Sequence, residues 1–290
     1  MKKTLLLAIV AISLIACSGD DTPETTNPAV DKNLHKILLY VQDGDELIDE
    51  SCIFVDNRMT ERYLYDQGEP FYHDIYTYFQ GRLIKREVTD DINGGHLVLE
   101  LSYDSSGRIS SQIIEVDSGY TEFTTYNYAE PGKIKTITYF SQGGQPEEKH
   151  TTYFLDDEGF VFKIESGNNV TILEYDSGRN VVSKTYIQNP GEENEETNVT
   201  LYTYDLETPV KGGFLQKDFI RFGDNNANYE LYEGYNNYQP ARSNYLIQTS
   251  SEGEVANTEY EFDEDGYPMS YSIVSNGEAW ATYQIIYEED

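Results

Sequence analysis

From His96 to Tyr103 apolar and polar positions alternate. Leu97, Leu99, Leu101 and Tyr103 fall on one face, Glu100 and Ser102 on the other, the period-two signature of a half-buried strand. Asp104 can accept bonds from the backbone two residues on, and Gly107 can supply the positive φ of a tight reversal. Arg108 then opens a return strand, Ile109 to Val116, and Tyr120 to Tyr128 and Lys133 to Phe140 repeat the arrangement. The unit Leu99–Ile109 recurs at Thr171–Arg179 and Thr258–Tyr267, with weaker copies at 76–83, 125–134, 152–159 and 201–205. Tyr78, Tyr103, Tyr128, Phe154, Tyr175, Tyr204 and Phe262 are its aromatic anchors, and the wide final gap predicts a degenerate copy around Tyr229 to Tyr245. Almost no stretch of useful length has a helical period. The pattern therefore predicts an all-β antiparallel meander of roughly twelve to eighteen strands. Ile113 lies on one strand face and Ile114 and Val116 on the other. A flat sheet wet on both sides would leave such groups in water, so the sheet is expected to curl, close or pack on itself.

These units resemble YD repeats, the Y-x-Y-D-x-x-G-R-[LI] hairpins of RHS-type proteins. Asp104, Gly107 and Arg108 match, as do Asp176, Gly178 and Arg179 with one residue deleted, and Asp263 and Gly266 mark a third turn. The resemblance spans most of residues 60–290 and is tight in two or three copies. It implies hairpin architecture. RHS proteins build a shell around a toxin cargo; this chain is too short for such a shell, so encapsulation is not carried over. The chain is also similar to lipoproteins of Bacteroidota with such degenerate repeats.

Lys2 and Lys3 precede an apolar run from Leu5 to Ile15, shorter than the ~20 residues a spanning helix needs. That is the layout of a secretory signal. Leu14-Ile15-Ala16-Cys17 resembles the lipobox of bacterial lipoproteins, which implies cleavage before Cys17 and its acylation. Ser18-Gly19-Asp20-Asp21 resembles the acidic export signal of Bacteroidota surface lipoproteins, while its plain reading is the start of a polar linker. Residues 1–16 are thus read as the signal peptide, 17–33 as a lipidated disordered tether, and 34–290 as a single repeat-built β domain. The tether reaches at most ~55 Å, with a mean nearer ~20–25 Å. Cys52, the only other cysteine, lies in an apolar run and is read as a buried inert thiol.

The net charge is −32, and removing the two signal lysines takes it to −34. Such a chain repels nucleic acid and anionic membrane surfaces, while its 26 tyrosines and 12 phenylalanines argue against disorder. An outer-membrane barrel is rejected at this stage because charged residues populate both strand faces, and a lipid-facing charge costs ~2–4 kcal/mol at mid-bilayer.

His35, His73, His96 and His150 are scattered without metal-ligand spacing. No G-x-S-x-G elbow, P-loop or dinucleotide fingerprint occurs in the mature chain. Asp156-Asp157-Glu158-Gly159 and Asp263-Glu264-Asp265-Gly266 read as acidic turns, and neither completes an EF-hand loop. No cofactor is expected, although total charge leaves room for weak calcium binding. Trp280 and Tyr283 are candidates for stacking on a ligand ring, against core packing as the plainer alternative. The expected function is that of a non-enzymatic cell-envelope lipoprotein, held at the outer membrane by its lipid and facing outward, that binds a glycan or protein or serves as a structural module. The alternatives are a carbohydrate-capture accessory or glycoside hydrolase, and a periplasm-facing orientation.

Overall fold

The computed structural model describes residues 32–41, 47–56, 58–92, 94–142, 147–178, 180–209, 211, 244–251 and 253–288. Cys17, the tether up to Asp31, Arg179 and all of the expected copy before Asn244 lie outside them. The described residues contain no helix.

Eighteen strands follow one another. The first six are β1 (Leu34–Val41), β2 (Glu50–Val55), β3 (Arg58–Asp66), β4 (Glu69–Phe79), β5 (Arg82–Asp90) and β6 (Gly95–Tyr103). Next come β7 (Ile109–Val116), β8 (Tyr120–Asn127), β9 (Lys133–Gln142), β10 (Glu147–Leu155), β11 (Val161–Ser166) and β12 (Asn169–Tyr175). The last six are β13 (Val181–Gln188), β14 (Glu196–Pro209), β15 (Asn244–Ser251), β16 (Glu254–Phe262), β17 (Pro268–Ser275) and β18 (Glu278–Tyr287). Each pairs antiparallel with its neighbours in sequence, and β18 pairs back onto β1 from Leu34↔Tyr287 to Val41↔Ala281. The all-β meander therefore closes into an 18-stranded barrel. Closure removes the free edges at which an open sheet would recruit another chain.

The strands alternate in direction, so the connections fall on two rims. The rim where β1 begins and β18 ends, called proximal here, carries the Asp–Gly turns. At Asp104 the backbone N–H of Asp104 donates to Arg108 O (2.8 Å), and the side-chain Oδ1 accepts from the N–H groups of Ser106 and Arg108 (both 2.9 Å). Asp156, Asp176 and Asp263 accept the corresponding bonds in their own turns. Gly107, Gly159 and Gly266 close theirs at φ of +78°, +90° and +78°. Beyond each turn the ladder slips by one residue, as between Ser102↔Ser111 and Tyr103↔Ile109. Such a bulge turns the next apolar residue inward: Leu83, Ile109, Val161 and Val181 are all buried.

At six places one hydroxyl stitches a strand to the hairpin before it. Tyr103 donates to Leu83 O (2.5 Å), Tyr128 to Ile109 O (2.8 Å), Tyr175 to Val161 O (2.6 Å), Tyr204 to Val181 O (2.9 Å) and Tyr287 to Pro268 O (2.9 Å). Tyr78 does the same to Met59 O. The residue after the turn glycine covers the next ring. Arg82 lies over Tyr103 and Arg108 over Tyr128, while Phe160 and Tyr267 take that place against Tyr175 and Tyr287. The anchor expected at Phe154 is displaced by one residue. Leu155 pairs with Val161, and Phe154 lies instead against the rings of Phe162 and beside Lys133 and Lys163.

Three apolar clusters line the wall. The first gathers Leu34, Ile37, Cys52, Phe54, Tyr245, Tyr271, Ala281, Tyr283 and Ile285 around the β18–β1 seam. The second centres on Leu99, Leu101 and Ile109, the third on Ile134, Tyr153 and Val161.

Candidate functional site

Inside the barrel, β2 to β5 carry a row of four charges. Glu50, Arg62, Asp74 and Arg86 each lie one strand further on, and their faces are fixed by the pairs Cys52↔Arg62, Arg62↔Asp74 and Tyr76↔Arg86. Arg62 Nε reaches Glu50 Oε1 at 2.7 Å and its Nη1 reaches Asp74 Oδ2 at 3.5 Å; Arg86 Nη2 donates to the same oxygen at 2.9 Å. Tyr76 OH adds a bond to Asp74 Oδ2, and the Cys52 thiol leans on Glu50. Asp74 is 0 % and Glu50 5 % exposed. The row is formally neutral, which is how four buried charges can coexist.

Tyr283 stacks on Tyr271 with centroids 4.3 Å apart, in the cluster that also holds Cys52. Burial is the main reason the Tyr271 and Tyr283 phenols titrate above their usual range, with Glu50 adding to the effect. The Cys52 thiol is likewise pushed well up by burial, as expected of an inert thiol. The two carboxylates of the row do not face a cleft as a glycosidase pair must, because Arg62 lies between them. No sequence signal singled out these four residues. Their alternation with apolar neighbours marks only a strand, and their pairing depends on the register between four separate strands.

The structure separates the two stacking candidates. Tyr283 is 2 % exposed and belongs to the core, so it offers no face to a ligand. Trp280 is 41 % exposed. It occupies a β-bulge: Ile273 pairs with Ala281 and Val274 with Ala279, leaving Trp280 as the extra residue. Bulges of this kind re-aim a side chain away from the regular alternation.

The candidate turn residues have protein partners. Arg108 pairs with Asp104 at 2.7 Å. Asp263 accepts from Lys32 Nζ at 2.6 Å, and its other oxygen is occupied by backbone N–H groups. Among the described residues no group of three or more His, Cys, Asp or Glu could hold a metal ion.

The outward face mixes charge with apolar groups along the strands. One cross-strand row runs Glu61, Ile75, Glu87, Val98, Glu115 and Thr121; another holds Lys85, Glu100, Ile113, Phe123 and Tyr139. Phe123 and Tyr139 stack at 6.5 Å and stay partly open to water.

No family model and no curated protein matches this chain. Among the solved structures similar to it are two porin-like proteins. One is a porin-like protein from Bacteroides vulgatus, 10 % identical over 90 % of this chain and 100 % of its own, with a TM-score of 0.46. The other is a porin-like protein from Bacteroides uniformis, 14 % identical over 89 % and 99 %, with the same TM-score. Scores below 0.5 at such identity assign this chain to no family.

Proposed function

We propose that this chain is a lipid-tethered, non-enzymatic module of the outer membrane whose barrel stands in water, with a wall built of degenerate YD-type hairpins and an outward surface that binds a glycan or protein. One observation carries the reading: Glu61 and Glu87 share an outward row at mid-strand with Ile75 and Val98. A wall facing lipid would have to bury those charges at the depth where a charged side chain is most costly. In water the same row is an ordinary amphipathic surface. The lipobox at Cys17 supplies the attachment that the wall does not.

The test is replacement of Cys17 by Ser in the full chain, followed by fractionation. The expected result is a shift from the membrane pellet to the detergent-free soluble fraction, with the barrel still folded by circular dichroism. A variant that stays in the membrane and needs detergent for extraction overturns the proposal in favour of a spanning barrel. The carbohydrate-capture reading rests on Trp280, raised out of the ladder at its bulge. It expects soluble glycans to shift the thermal midpoint of the wild type and not of Trp280→Ala.

A further inference from the structure

Charge is segregated along the barrel axis. At the distal rim the described connections and strand ends hold Asp49, Asp66, Asp90, Asp91, Asp117, Glu192 and further acids, with Lys149, two residues into β10, among them. Apart from Arg62 and Arg86 of the interior row, and Lys149, every described Lys and Arg lies in a proximal connection or within three residues of a strand's proximal end. Some proximal acids are paired with these cations, and acids still outnumber Lys and Arg at this rim, by a smaller margin than at the distal one. Glu130 is clamped by Lys133 and Lys135, Asp104 by Arg108, and Asp263 and Asp265 by Lys32. The chain enters the barrel at this same rim, where Lys32 precedes Leu34, so the short segment back to Cys17 begins there.

We infer that the proximal rim is the membrane-apposed end of the barrel: an anionic bilayer repels the distal rim more strongly than the cation-bearing proximal rim, so that the tethered barrel stands upright. This rests on the lipid anchor proposed above. Strands of eight or nine residues, tilted as in a barrel, separate the rims by about 20 Å. That exceeds two screening lengths of about 8 Å at physiological salt. An upright barrel therefore keeps its distal acids beyond the reach of an anionic surface, and a tipped one brings them into it.

The experiment uses the full acylated protein in phosphatidylcholine bilayers with and without phosphatidylglycerol. Fluorophores are placed at Ser105→Cys on the proximal rim or Ser118→Cys on the distal rim, Cys52 being buried. Energy transfer to headgroup acceptors is expected to place the distal label about 20 Å farther out on the anionic bilayer. That difference should shrink at high salt, without phosphatidylglycerol, and in a Glu192, Glu193 and Glu195→Gln variant. Equal distances, or a difference indifferent to lipid charge and salt, overturn the inference and leave the anchor standing. A protein that does not associate with either bilayer removes the anchor, and both readings with it.

Discussion

At the residue scale, one hydroxyl recurs in one role. Tyr103, Tyr128, Tyr175 and Tyr204 each donate to a carbonyl in the preceding hairpin. A net hydrogen bond of this kind contributes ~1 kcal/mol. Tyr103→Phe should therefore lower stability by roughly that amount, read from the urea midpoint at unchanged slope, and Tyr175→Phe should match it. A Phe variant as stable as wild type would show that ring burial alone holds the hairpins together. The aromatic spacing was visible in the sequence, but the acceptor was not, because a backbone carbonyl carries no residue signature. The same scale governs Glu130, whose carboxyl is held down to about 2 by its bonds to Lys133 and Lys135. A depressed acid stabilises above its unfolded value and loses that contribution as pH falls through the folded one. Glu130 should thus lose its contribution between ~4.5 and ~2. Its NMR titration should move up toward the ordinary value in Lys133→Ala/Lys135→Ala, and an unmoved midpoint would refute the clamp.

At the element scale, the hairpin is set by turn chemistry. Gly107 has φ +78°, and a Cβ there would run into the Arg82 guanidinium, which lies over Tyr103. Gly107→Ala combines backbone strain with displacement of that lid and should cost ~1–3 kcal/mol. Gly119→Ala, at φ +81° with nothing within 4 Å of the added methyl, serves as the strain-only control and should cost less. Equal losses at the two sites would mean that the lid contributes nothing. The Asp–x–x–Gly turns could be read directly because Asp and Gly act locally, through a side chain two residues away and a φ few residues adopt. The bulge beyond each turn could not. It is fixed by which carbonyls and amides meet across two strands, whereas the anchor at Leu155 was legible from its place directly before Asp156, as Tyr103 stands before Asp104. Tyr283 failed as a surface candidate for a reason the spacing did hold: three residues from Trp280 along one strand, it falls on the opposite face, buried where Trp280 is exposed.

At the scale of the whole molecule, strand number and the need to bury both faces were legible, whereas the seam was not. Leu34 and Tyr287 meet across the length of the domain, and no local pattern encodes that encounter. The seam decides how the molecule should unfold. A meander whose strands touch only their neighbours behaves as a one-dimensional array, with parts that can melt separately. A ring in which β18 holds β1 has no end from which to fray, and opening any strand exposes two edges. Ile134 and Trp280 make the distinction measurable. Ile134 is fully buried on β9, nine strands from β18 in either direction around the ring, and Trp280 on β18 is the only tryptophan. Ile134→Ala should cost about 2–5 kcal/mol. In a ring that melts as one unit, the Trp280 fluorescence transition should shift by the full amount and coincide with the circular dichroism transition. An array of hairpins would instead lose its ellipticity around β9 early and leave the tryptophan signal where it stands in the wild type. That second outcome would mean the β18–β1 ladder closes the barrel geometrically without coupling its two sides.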